Sequence, residues 1–95
     1  MDSIIQDGRY CYLCGKSDEP LDRHHVFGGV NRKKSEKYGL TVYLCHNSCH
    51  IFGHGAVHMN AEVDRKLKQE VQRKAMAHYG WNFNDWRKEF GKNYL

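Results

Sequence analysis

Apolar positions keep two different rhythms along this chain of 95 residues. Between residues 61 and 79 they recur at every fourth place, as Val63, Leu67, Val71, Ala75 and Tyr79. That period predicts one α-helix with a single apolar face. Arg65, Lys66, Lys68, Arg73 and Lys74, mixed with Glu62, Asp64 and Glu70, fall on its other faces. Asn60 is placed to cap the start and Gly80 to end the last turn. "WNFNDWRKEFG" predicts a second, shorter amphipathic helix with Phe83, Trp86 and Phe90 inward and Gly91 as its stop. Upstream the rhythm changes. "HHVF" (24–27) and "TVYLC" (41–45) read as short strands that would pair as an antiparallel hairpin. "GGVNRKKSEKYGL" between them reads as a basic loop or a broken helical turn, its paired Gly28 and Gly29 serving turn geometry. A short helical turn is expected from Cys49, loosened by Gly53 and Gly55, and residues 1–9 read as a polar, loosely ordered lead-in.

No repeat or linker divides the chain, so one α+β domain is expected over residues 1–95. Hydrophobic residues make up 40% and aromatic residues 13%, enough for one modest core. A core of that size often needs a disulfide or a metal to stabilise it. "MDSIIQDGRY" lacks the basic start and apolar run of a signal peptide. No segment approaches the ~18–20 apolar residues of a membrane span. The expected setting is therefore cytoplasmic, without a membrane partner, where clustered cysteines bind metal more often than they pair as disulfides. The formal charge of +4 suits a polyanionic partner but does not require one.

Four cysteines are present, Cys11 and Cys14 in "CYLCG" and Cys45 and Cys49 in "LCHNSCH". Two such pairs separated by a hairpin-sized insert suit a tetrahedral structural Zn2+ with four thiolate ligands. The second pair has three residues between its cysteines, so His46 or His50 in place of Cys49 stays open as the fourth ligand. A redox role for "CYLC" is the rival, but the strand and helix that flank such a motif are missing. Tyr10, Tyr12 and Tyr43 read as packing around that centre.

Histidines concentrate in the same region: His24, His25, His46, His50, His54 and His58, with His78 apart. His46 and His78 read as structural. The order "CYLC … RHHVF … N … LCHNSCH", over residues 11 to about 58, resembles the HNH endonucleases of the ββα-metal (His-Me finger) superfamily, and the tail is similar to that of small phage-encoded HNH-like proteins. The resemblance implies a small ββα-metal core with a zinc knuckle over residues 10–60, followed by C-terminal helices over residues 61–95. It implies hydrolysis of DNA phosphodiester bonds, with His25 as the general base that activates water and Asn31 bracing the loop of the catalytic pair. His24 and His50 would hold a catalytic divalent metal (Mg2+, Mn2+, Ni2+ or Zn2+), with His58 and then His54 as further candidates.

Adjacent strand residues point to opposite faces, so one imidazole could meet the metal while the next meets the attacking water. Arg32, Lys33, Lys34 and Lys37, in the loop between the strands, are the candidate contacts to phosphates. The partner implied is DNA, with RNA open, and a homodimer or a larger phage nuclease complex is compatible. The host implied is a phage-infected or prophage-bearing bacterium. The alternative is a non-catalytic, zinc-stabilised nucleic-acid-binding module of treble-clef type.

Overall fold

A computed structural model of the chain describes residues 2–51, the last by its backbone alone, and residues 56–95. Two strands, β1 (Leu21–His25) and β2 (Thr41–Cys45), pair antiparallel with Leu21 opposite Cys45 and His25 opposite Thr41. The first strand begins three residues earlier than "HHVF" suggests and stops at His25. Pairing decides this: positions 21–25 are the ones that β2 can reach, while Val26 and Phe27 turn into the core. Of the two readings of the segment between the strands, the helical one holds and the loop does not. It holds a 3-10 turn (Gly29–Asn31) and a seven-residue helix, α1 (Arg32–Tyr38), ended by Gly39 in the left-handed conformation. No apolar stripe announces α1. A tertiary contact supports it instead, the buried Ser35 hydroxyl bonding both the amide and the carbonyl of Phe27, at 3.1 and 2.7 Å.

Beyond β2 the chain makes a wide π-helical turn, His46–Ile51, and then two helices, α2 (Ala61–Tyr79) and α3 (Phe83–Phe90). α2 has the expected bounds. Asn60 caps it by accepting from the amides of Glu62 and Val63, and Leu67, Val71 and Ala75 are buried at the expected spacing. Gln72 is buried beside them; its side-chain amide donates to Asn93 and its oxygen accepts from the amide of Tyr94, which pins the C-terminal tail. α3 starts with a reciprocal Asn82–Asp85 capping box. Trp86 and Phe90 stack with ring centroids 4.2 Å apart and meet Phe27 from β1's end. Phe83, expected inward, is 48% exposed. α3 meets the core through its middle and its end, which leaves the first residue overhanging.

One core joins β2, Val26, Phe27, α2 and α3, with Cys11, Cys45 and Cys49 at its edge. The N-terminal lead-in is bonded to the sheet: Ser3 Oγ donates to the Thr41 carbonyl, the Ile4 amide to Gly39, and the Tyr43 amide to Gln6 Oε1. No described helix is long and apolar enough to cross a membrane.

Candidate metal centres

Cys11 opens a tight turn in which its carbonyl accepts from the Gly15 amide and its sulfur from the Cys14 amide. The Tyr12 amide donates to the Tyr43 carbonyl and lays this turn against β2, whose last residue is Cys45. The π-helical turn then carries Cys49 back to the same point, which accounts for the three-residue spacing. All four sulfurs lie within 4.8 Å of one another, and Cys14 Sγ is 3.4 Å from Cys45 Sγ. Thiolates at about 2.3 Å from one zinc would stand about 3.8 Å apart. The cluster could therefore hold a structural ion such as zinc. Cys49 belongs to it, and neither His46 nor His50 takes its place.

The thiols differ in acidity. Burial pushes Cys11 up, but the amides of Cys14 and Cys45, the Cys14 thiol and the Leu13 amide bring it down to about 7. Burial, then the thiols of Cys11 and Cys14, push Cys49 up to about 12 and Cys45 higher still. Four sulfurs this close cannot all ionise without a cation among them.

The second centre lies across the same turn. His24 on β1, His50 in the turn and His58 beyond it bring one ring nitrogen each to within 4.8 Å of the others. His50 Nε2 and His58 Nε2 are 3.0 Å apart. Backbone bonds from Val57 to Cys49 and from His58 to His50 hold the segment after residue 55 against the turn. His24 is 8% exposed, and its buried Nε2 has no hydrogen-bond partner among the described residues. Such an orphan costs free energy unless something ligates it. Burial, and then the neighbouring His50 and His58, lower the His24 pKa to about 3. Its imidazole is therefore neutral at physiological pH and offers a lone pair. An orphaned buried nitrogen among three imidazoles fits a divalent cation of the zinc, nickel or manganese type. His54 lies outside the described residues.

His25 points to the other face of β1, as alternation requires, and lines the same cleft of about 690 Å3 as the three imidazoles. Its Nε2 is 4.0 Å from Glu36 Oε2, too long for a hydrogen bond, and Arg23 grips that carboxylate at 2.6 and 2.9 Å. Burial and then Arg32 lower the His25 pKa against an opposing pull from Glu36, which leaves a neutral base. Asn31 is not beside the imidazoles; its side-chain Nδ2 donates to the Phe90 carbonyl at 3.0 Å and fastens the turn after β1 to α3.

Of the four basic candidates, Arg32 lines the cleft and Lys33 is exposed. Lys34 is bound to Glu89 at 2.6 Å, and Lys37 lies over the Tyr38 ring. Lys68 lines the cleft as well, in an ion pair with Asp64. Asp22 was not among the sequence candidates. Its Oδ2 meets the Nδ1 atoms of both His46 and His50. Burial raises its pKa, but those two bonds outweigh it and hold the carboxyl below the usual range. The signal was available in principle, because residue 22 shares a strand face with residue 24.

Comparison with protein-family models, curated proteins and solved structures finds no match for this chain.

Proposed function

We propose that this chain is a metal-dependent endonuclease of the HNH type, built on a ββα-metal core, that hydrolyses DNA phosphodiester bonds. One observation carries the reading. Three imidazoles converge, one of them with a buried nitrogen that has no partner among the described residues, and a fourth, His25, opens from the adjacent strand position into the same cleft. A binding surface needs no such arrangement; hydrolysis does. His24, His50 and His58 would hold a divalent ion. When bound, that ion supplies Lewis-acid stabilisation of the scissile phosphate and of the leaving oxygen.

His25, neutral at physiological pH, takes a proton from a water molecule in the cleft. The water oxygen forms a bond to phosphorus as the bond to the 3′ oxygen breaks. The products are a 5′-phosphate and a 3′ hydroxyl, whose proton comes from solvent. Arg32, which lines the same cleft, would offer its guanidinium to the phosphate backbone. Asn31 steadies the turn after β1 through Phe90, in line with a bracing role. A single such site cuts one strand, so a double-strand break would take a second copy or a second visit.

Supercoiled plasmid incubated with the protein and Mg2+, Mn2+, Ni2+ or Zn2+ in turn tests the reading. The expected result is nicking with at least one ion, reduced about 100-fold or more in His25→Ala, the lower range of general-base contributions. Equal nicking by both proteins removes His25 from the chemistry. Retained DNA binding without nicking under any ion favours the zinc-stabilised binding module.

A further inference from the structure

Asp22 stands outside the three-imidazole set and yet touches it. One carboxylate oxygen, Oδ2, lies 2.8 Å from His50 Nδ1 and 2.6 Å from His46 Nδ1. At neutral pH a carboxylate accepts and does not donate, so the proton in each of these two contacts belongs to the imidazole. A neutral imidazole has a single N–H, and a proton held on Nδ1 leaves Nε2 as the lone-pair atom. In His50 that bare atom is the one directed at His58, in the group completed by His24. His46 has its own anchor, its amide donating to the Pro20 carbonyl at 2.8 Å just before β1.

We infer that Asp22 is a positioning residue, holding His50 in the Nδ1–H form with Nε2 turned to the metal position, and that His46 is the second donor that keeps the carboxylate from rotating away. The inference rests on the reading that the three imidazoles hold a divalent cation. Carboxylates behind metal-binding histidines fix the tautomer and raise ligand basicity, and their loss typically lowers metal affinity 10–100-fold. Two donors on one oxygen explain why a half-exposed histidine, four residues before His50, bonds to that same carboxylate. His46 thereby acts through two hydrogen bonds and the His50 ring.

Two measurements on the full chain, with zinc loaded at the thiolates, test it. Long-range proton–nitrogen correlation spectra of the wild-type protein read the tautomer of His50 directly. A proton on Nδ1 is expected; a His50 protonated on Nε2 with Nδ1 bare overturns the inference without any substitution. Titration with Zn2+ or Co2+ then reads the second centre. Asp22→Ala is expected to weaken it 10–100-fold, Asp22→Asn less, and His46→Gln less again, with the zinc content of the thiolate centre unchanged. Equal affinity in Asp22→Ala and wild type overturns this inference and leaves the endonuclease reading standing. A wild-type chain that takes up no ion beyond the thiolate one overturns both. Should Asp22→Ala lose its fold, the wild-type tautomer still decides.

Discussion

Gly39→Ala, set beside Gly80→Ala, separates the cost of a backbone conformation from the cost of a collision. Both glycines end a helix at nearly the same left-handed angle, φ 71° and 69°. An alanine there costs about 1–2 kcal/mol in conformation. Reduced freedom of the unfolded chain offsets about 0.4–1 kcal/mol of it. At Gly80 an added Cβ meets nothing within 4 Å. That substitution is expected to cost about 1 kcal/mol.

At Gly39 the same atom would stand 2.5 Å from the Asp2 carbonyl oxygen, 3.1 Å from the Ile4 amide nitrogen and 3.2 Å from Ile4 Cγ2. Two of the three are backbone, so the N-terminal segment has to withdraw. Withdrawal breaks the 2.9 Å bond from the Ile4 amide to the Gly39 carbonyl, about 0.5–1.5 kcal/mol. It also uncovers part of the half-buried Ile4 side chain, about another 1 kcal/mol. Gly39→Ala should therefore cost about 2–4 kcal/mol in all. Urea unfolding of the three proteins measures the difference, and hydrogen exchange at the Ile4 amide reports whether the segment has left. Equal midpoints for the two variants, with Ile4 still protected in Gly39→Ala, would refute the docking of residues 2–6 against α1's end.

Three further outcomes are expected. Stripping metal with a strong chelator, or Cys45→Ala, should abolish the cooperative unfolding transition seen by circular dichroism, because apparent zinc binding of about 10–16 kcal/mol in small zinc modules exceeds most of the ~5–15 kcal/mol that holds a domain together; an unchanged melting curve in metal-free protein would show that the thiols need no ion. Glu89, bonded by Lys34 and Tyr38, has its pKa held down first by the Lys34 bond. Its contribution is therefore complete above the ordinary glutamate range near ~4.3 and is lost as pH falls towards the lower folded value. The gap in urea midpoint between wild type and Glu89→Gln should be present at pH 7 and close on acidification, and a gap that widens instead contradicts the pairing. For DNA binding, Arg32→Ala and Lys33→Ala should each lower the slope of log affinity against log salt by about 1, and Lys34→Ala by less, since that ammonium is already paired with Glu89; three equal changes would mean that the pair opens on DNA.

What the chain disclosed of its own fold follows from how local each signal is. α2 was legible to the residue because its four-residue period, its Asn60 cap and its Gly80 stop all lie within the helix or beside it. α1 was not, because "RKKSEKY" carries no apolar face and its support is Ser35 on Phe27, eight positions back. β1 was displaced because Leu21, Asp22 and Arg23 look like loop residues until β2 lies opposite them. The cysteine set was legible from spacing alone, although only the wide turn explains how Cys49 reaches Cys45 across three residues. His24 and His50 could be ranked from the motif, whereas the choice of His58 needed the backbone bonds that fold residues 57 and 58 onto the turn. Asp22 was missed because a carboxylate in "LDRHH" is indistinguishable from a solvated charge until strand alternation is applied to it.

The two centres are not independent parts. β2 ends on Cys45, and the next six residues carry Cys49 to the thiolates and His50 to the imidazoles. The carbonyls of those two residues, 49 and 50, then accept from the amides of Val57 and His58. One short backbone thus sets the positions of two sulfurs and one imidazole directly, and of a second imidazole through two hydrogen bonds. A π-helical turn leaves fewer of its own bonds to resist distortion than an α-helix of the same length. Its shape must come from its ends, where the thiolates hold one side and Asp22, through His46 and His50, holds the other. An ion that tightens the four sulfurs therefore also narrows the range open to His50 and His58. The second centre should accordingly bind its cation more tightly when the first is filled than when it is empty, a dependence that runs through shared backbone and not through charge, since bringing two cations close together would act in the opposite sense.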